Sequence, residues 1–401
     1  MRDNWTGPAN RLTGSLSREY ATSLVNVMKR RDFILFFSSA VPAASLLTTV
    51  PRWSASAAAE TELSTAAGWR TFDVTTSVDV ASPAGTTLLW VPLPSNAATD
   101  YQHLLDVKWE APGAAKAEVV AVPGYDVRLL RVEWTDPSAL GPVSLKTRVA
   151  TRDRQVDIAG RPKSQRAARE SDSVLKTYLR ATNLMPTDGI VRETALKITR
   201  DAHGDVEKAR ALYEWVVENT NRDPKVAGCG LGDIASMLKS GYLGGKCADL
   251  NGLFVAMSRS LGIPARDSYG LRIADSRRGY QCLGKSGDIS KAQHCRAEFY
   301  TASLGWVPVD PADVRKLVLE EEGGLPLSNP KVQSARAQLF GGWEMNWLVY
   351  NHGHDVALPG SRGLPIPFLM YPNSETAEGR LDSLNATTFR YEIHSREVQG
   401  A

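Results

Sequence analysis

Cysteine and histidine are scarce in this sequence, and no block of like charge or long uninterrupted apolar run breaks its composition. The four cysteines, Cys229, Cys247, Cys282 and Cys295, are too few for a disulfide framework in a chain of 401 residues. No CxxC pair occurs, which removes a zinc ribbon and a thioredoxin-type motif. The 47 basic and 44 acidic side chains leave a formal net charge of +3. So even a balance gives no argument for nucleic acid or an anionic membrane surface as a partner. No internal repeat is present. What remains is ordinary globular composition, 43% hydrophobic and 23% charged, with enough length for two or three domains.

The N-terminal part reads as an address. Lys29, Arg30 and Arg31 precede an apolar stretch from Ile34 to Val50, interrupted by Ser38, Ser39 and Pro42, and then the small residues Ala55 to Ala59. Basic, apolar and small-residue segments in that order describe a bacterial secretory signal. Arg30-Arg31 followed by Phe33 resembles the twin-arginine type, with Lys29 where that pattern usually has Ser or Thr. The apolar stretch is at the short end for a span of roughly 20 residues, so a cleaved signal is expected rather than an anchor. Met28 is a second candidate start of translation. Residues 1–59 are accordingly set apart as an extension plus signal. The mature protein is expected in the periplasm or outside the cell and off the membrane.

From Trp69 to Arg152 the pattern has period two. Phe72, Val74, Thr76, Val78 and Val80 alternate with polar partners, 127–134 forms another strand, and Leu145, Thr147 and Val149 mark a third. Pro-Gly, Asp-Pro and Ser-Pro turns separate them, so a β-sandwich is predicted over 60–155. With no cysteine and only His103, it carries no recognisable chemistry. Residues 152–170 read as a linker, and 205–219 as a helix with Asp205 as N-cap.

Residues 244–264 carry the first chemical signal. Leu250, Leu253, Phe254, Met257 and Leu261 recur at helical spacing, and Gly262 and Pro264 stop the helix. Gly244 and Gly245 precede it, so Cys247 falls at the helix N-terminus. There, unpaired N–H groups and the positive end of the dipole stabilise a thiolate and can bind the oxyanion formed when that thiolate attacks an amide. A buried, inert cysteine at a helix start is the alternative.

A hairpin supplies the second signal. Ala292 to Tyr300 and Trp306 to Asp310 read as two strands around a short turn. Folding about Ala302 pairs residues whose numbers sum to 604, which places His294 directly opposite Asp310. An aspartate beside an imidazole fixes its tautomer and stabilises its cation, as a thiolate–imidazolium pair requires. A structural histidine bound to a turn aspartate is the competing reading. Cys229 sits in a glycine-rich loop, with no role expected. His352, His354 and Asp355 are read as a solvated loop rather than a metal site.

Together these blocks resemble the transglutaminase-like superfamily. Gly245-Lys246-Cys247-Ala248-Asp249, Leu253 to Ala256, and Gly262-Ile263-Pro264-Ala265-Arg266 are similar to its core around the nucleophile. His294 to Tyr300 and Gly305-Trp306-Val307-Pro308-Val309-Asp310-Pro311 are similar to its His and Asp blocks. The likeness covers about residues 180–318. One departure is Arg296, which stands where the family most often has Trp. The resemblance implies an α+β, papain-like transglutaminase core, in which a helix carrying Cys packs on an antiparallel sheet carrying His and Asp. It implies a catalytic domain over 165–318, preceded by the sandwich and followed by a 319–401 extension that wraps it. The implied catalytic residues are Cys247, His294 and Asp310, with Tyr242 and Gly245 as oxyanion or cleft candidates and Asp249 and Arg266 as supports. The implied chemistry is a thioester acyl-enzyme on a peptide or protein substrate, such as cell-envelope material, with no metal, cofactor or nucleic acid. Hydrolysis is the expected outcome. Acyl transfer to an amine, or a non-catalytic peptide- or cell-wall-binding module, are the alternatives.

Overall fold

Strict alternation shapes the first half of the molecule. In β1 (Trp69–Val80), Phe72, Val74, Val78 and Val80 are buried and their neighbours are more open, as a half-buried strand requires. The structure, a computed structural model, describes residues 68–81, 84–97, 99–159 and 169–398. The export signal expected over 1–59 lies outside the described residues. After β1 come β2 (Thr87–Pro92), β3 (Gln102–Glu110), β4 (Lys116–Val122), β5 (Val127–Trp134) and β6 (Val143–Arg152). Five helices follow: α1 (Asp172–Thr177), α2 (Gly189–Ile198), α3 (Gly204–Asn219), α4 (Ile234–Ser240) and α5 (Cys247–Ser260). The chain then forms β7 (Ala265–Arg272), β8 (Gln293–Thr301), β9 (Gly305–Val309), α6 (Pro311–Glu320), α7 (Pro330–Gln338), β10 (Trp347–Asn351), β11 (Asn373–Thr376) and β12 (Phe389–Val398).

Two five-stranded antiparallel sheets make the sandwich. One has the order Gly287–Asp288, β12, β1, β6, β3, and the other Gly379–Arg380, β11, β2, β5, β4. Val78, Val80, Val143 and Leu145 from the first meet Leu89, Val91, Leu130, Val132 and Trp134 from the second. Each such buried side chain contributes about 1.5–3 kcal/mol relative to exposure. The C-terminal segment corrects the expectation for 319–401. Its α7 and β10 lie against the helix-and-sheet core that holds α5, but β11 and β12 return to the sandwich. β12 pairs along β1 from Thr71↔Val398 to Val80↔Phe389. Without β12, the β1 edge would present a long row of unpaired N–H and C=O groups. The sandwich is therefore closed by residues distant in sequence.

The other half is an antiparallel sheet of order β9-β8-β7-β10 with α5 packed on it. Phe254 on α5 meets Phe299 on β8 with ring centroids 6.2 Å apart. The sequence gives α5 one apolar stripe, yet every residue of it is buried. Its buried arginine is held by carbonyls: Arg259 donates to the Ala265 carbonyl at 2.7 Å and to the Arg180 carbonyl at 3.2 Å. At the C-terminus, Gly262 at φ 81 donates to the Arg259 carbonyl, and Ile263 to the Ser258 carbonyl. This is a Schellman motif, and it needs the left-handed conformation that glycine adopts freely. In α3 the N-cap is His203 and not Asp205, which sits instead in the first turn, where its charge suits the dipole.

Candidate active site

The sheet and α5 meet at a point set by two helix starts. Cys247 is the first residue of α5, so its N–H has no acceptor within the helix. Asp249 fixes the approach. Its Oδ2 accepts from the Lys246 N–H at 2.8 Å, and its Oδ1 from the Leu231 and Gly232 N–H groups at 3.0 and 2.8 Å. Gly245 makes room for this carboxylate, since a Cβ there would lie 2.5 Å from the Asp249 Cβ. Gly245 therefore positions the turn and does not line the cavity beside Cys247.

His294 is the second residue of β8 and meets Asp310, but in a different register from the one expected. Residues 301 and 305 pair, and so do 297 and 309, so the sums are 606. The turn is a three-residue loop centred on Ser303, with Gly305 at φ 71 closing it. Continued by one step, this register puts Arg296, not His294, across from Asp310. A shift of two residues keeps side chains on the same face, where a shift of one would not. His294 thus reaches Asp310 as a diagonal neighbour, Nε2 to Oδ2 at 2.8 Å. Asp310 also caps α6, accepting from the Asp313 N–H at 3.0 Å, and Asn251 of α5 donates to it at 3.2 Å. With Nε2 held by the carboxylate, Nδ1 is the nitrogen left for the Cys247 thiol.

Three partners went unread in the sequence. Asp313 lies one turn into α6, its Oδ1 3.3 Å from His294 Nε2 and 2.5 Å from Arg272 Nη2. Its only local signal is the i+3 spacing from Asp310. Arg296 places Nε 3.4 Å from Asp310 Oδ2 and stacks on Trp347 and Trp343, at 4.7 and 5.6 Å from the ring centroids. The indoles absent after His294 are thus supplied from the C-terminal segment, and Trp347 Nε1 donates to the His294 carbonyl at 2.9 Å. The third partner is Cys229, which lines the cleft with Cys247. Its carbonyl accepts from the Ala248 N–H at 2.9 Å, and its thiol from the loop reaches the Gln293 carbonyl at 3.3 Å. All four thiols are free.

Electrostatics follow from these neighbours. The neighbouring Cys229 thiol, then the Cys295 thiol, outweigh burial in favouring the thiolate of Cys247, and the His294 imidazolium adds to them. The Cys247 thiol is held well below its ordinary range. Burial and the Arg272 charge push the His294 imidazole down, but Asp313 and Asp310 outweigh them and it rises to about 9. Cysteine low and histidine high is the order an ion pair requires. His294, Asp310 and Asp313 place their ligand atoms within 4.8 Å of one another, the spacing of a cation site. Arg272 and Arg296 already supply the positive charge there.

A cavity of ≈ 440 Å³ opens onto Cys247 and His294. Its charged lining is entirely basic, and Tyr371, Leu384, Phe389 and Tyr391 from the C-terminal segment also line it. Tyr242 is not brought to it. The Tyr242 side chain is turned to solvent, over Gly244, and its hydroxyl donates to Asp223 at 2.7 Å. Arg266 supports the fold through Glu298, at 2.7 Å, and the Trp306 ring, at 4.0 Å. The solvated loop expected at 352–355 is corrected in part, because both histidines are buried. His352 Nδ1 meets the Asp267 carbonyl at 3.0 Å, and His354 Nε2 meets the Asp267 carboxylate at 3.2 Å.

Residues 192–311 match the model of the transglutaminase-like superfamily. A Haemophilus influenzae protein described only as uncharacterized is 35% identical over 342 residues, spanning 82% of this chain and 91% of that one. Among solved structures, a Cytophaga hutchinsonii protein provisionally described as a cysteine protease is 17% identical. It covers 82% of this chain and 99% of its own, at TM-score 0.45. The periplasmic domain of TgpA from Pseudomonas aeruginosa is also 17% identical, covering 66% of this chain and 96% of its own, at TM-score 0.32. A helix that starts on a cysteine, packed on an antiparallel sheet that brings in a histidine, agrees with the matched sequence model, and the chain belongs to the transglutaminase-like superfamily.

Proposed function

We propose that this chain is an exported cysteine enzyme that cleaves peptide or amide bonds through a thioester, with Cys247, His294 and Asp310 as its catalytic residues. The observation that carries the reading is one arrangement: a lowered thiol at the first position of α5, facing an imidazole whose far nitrogen is bound by a buried aspartate. The Cys247 thiolate attacks the carbonyl carbon, and the electron pair of the C=O moves to oxygen. The free Cys247 N–H at the helix start faces that oxyanion. Collapse of the intermediate breaks the C–N bond while His294 passes its Nδ1 proton to the departing amine. Now neutral, the imidazole takes a proton from water, which attacks the thioester and returns the thiol. Asp310 holds Nε2 and offsets the imidazolium charge throughout.

Water as the second acceptor is favoured by the basic lining, which repels a protonated amine. Export rests on the sequence signal alone. Among the described residues, no helix is long and apolar enough to cross a membrane. The test is incubation with a peptide library, with and without added amine, read by mass spectrometry. Hydrolysed peptides that depend on Cys247 are expected. Amine adducts in place of hydrolysis would replace the reading with acyl transfer. No turnover, together with an unreactive Cys247, would leave a binding module.

A further inference from the structure

Six cationic residues line the catalytic cavity, Arg222, Lys246, Arg272, Lys285, Lys291 and Lys316, and no carboxylate does. Three of them have acidic partners. Arg222 and Lys316 bind Glu320, and Arg272 binds Asp313. Lys246, Lys285 and Lys291 form no ion pair among the described residues, although Asp223 and Asp288 feel the charges of Lys246 and Lys285. Lys285 and Lys291 are exposed at the rim. A chain with a net charge of only +3 thus gathers three lysines without an ion-pair partner, among the described residues, at one opening. The reason is not stability, because like charges gathered around a cavity repel one another. The same cavity is lined by the apolar and aromatic side chains of Tyr371, Leu384, Phe389 and Tyr391.

We propose that the cleft selects acidic peptides, with substrate carboxylates facing Lys246, Lys285 and Lys291 and hydrocarbon or aromatic groups against Tyr371, Leu384, Phe389 and Tyr391. This rests on the proposed function, since it names the substrate class of the same site. A cleft lined by one sign of charge raises the local concentration of the opposite ion and speeds its capture. The selection is therefore strongest at low ionic strength and fades as salt screens the rim lysines.

The test separates charge selection from thiol reactivity. Cys247 is alkylated with iodoacetate, an anion, or iodoacetamide, its neutral analogue, and each rate is followed by mass spectrometry of the Cys247 peptide. The imidazolium itself favours iodoacetate, so the reading is the change in the rate ratio when the rim is neutralised by Lys285→Gln/Lys291→Gln. Each lysine contributes roughly a twofold preference at about 10 Å in a water-like medium, so the ratio falls about fourfold in the double variant. A second arm uses the wild-type protein and needs no variant to fold. An N-acetyl tri-glutamate amide slows iodoacetamide labelling at low salt, and a tri-lysine amide does not. An unchanged ratio, or equal protection by the two peptides, overturns the proposal while leaving a reactive Cys247 in place. Failure of iodoacetamide to label Cys247 ahead of the other thiols would instead remove the cysteine-enzyme reading on which the proposal stands.

Discussion

Removing the charge of Asp313 should lower the His294 pKa and weaken the fold, and the two effects can be measured separately. Asp313 Oδ1 lies 3.3 Å from His294 Nε2 and 2.5 Å from Arg272 Nη2, with all three groups buried. At 3.3 Å and an effective dielectric of about 20, the attraction to an imidazolium is about 5 kcal/mol. Desolvation and the nearby Arg272 offset much of that, and a carboxylate partner typically shifts a pKa by about 1–3 units. Asp313→Asn should therefore bring His294 down from about 9 by that amount. It should also strand Arg272 without its partner, at a cost of about 3–5 kcal/mol. The double variant Asp313→Asn/Arg272→Met removes one raising and one lowering charge. It should return the imidazole towards its wild-type value and recover part of the stability. The assay is NMR titration of the His294 ring, paired with thermal melts at fixed pH. A His294 titration unmoved by Asp313→Asn would refute the assignment of Asp313 as its second counter-charge. The sign of the pH dependence is set by the same group. A folded pKa of about 9 against about 6.5 unfolded contributes about 3 kcal/mol, fully present below pH ~6.5 and lost as pH rises towards 9.

Cys229→Ala removes the largest influence that lowers the Cys247 thiol. The pH midpoint for iodoacetamide labelling of Cys247 should move upward, and an unchanged midpoint would show that the loop thiol has no part in it. Asp310→Asn keeps an acceptor for the α6 cap but loses the charge and can impose the wrong imidazole tautomer. Labelling near neutral pH and any turnover should fall by about 10²-fold, less than the about 10⁴ seen in serine triads, because a thiol is intrinsically more nucleophilic; melting should also drop, since buried Arg296 and His294 lose a counter-charge. Replacing Arg30 and Arg31 by lysine should keep the protein in the cytoplasm on cell fractionation, and unchanged export would favour the general secretory route.

How much of this was legible before folding depends on how local each signal is. The α5 boundaries were readable because a glycine pair, an apolar period and a Gly-Ile-Pro stop all lie within one segment. The alternation of β1, β5 and β6 was readable for the same reason. The hairpin register was not. One residue in the turn decides the sum, and the positive φ of Gly305 that sets a three-residue loop is invisible in a pattern of apolar and polar letters. His294 and Asp310 were nevertheless placed on a common face, since parity survives a shift of two.

The sequence by itself determined the candidate nucleophile, the histidine and the carboxylate, because each sits in a short block whose local geometry nearly dictates its setting. Only the tertiary structure decided what surrounds them. Asp313 and Arg272 meet His294 across a gap of 41 residues between them. Trp347 reaches the His294 carbonyl from 53 residues away. The sandwich is closed by a strand more than 300 positions from its partner, as Thr71↔Val398 shows. Such partners are selected by the need to satisfy buried charge and unpaired strand edges, and that need exists only once the chain has folded.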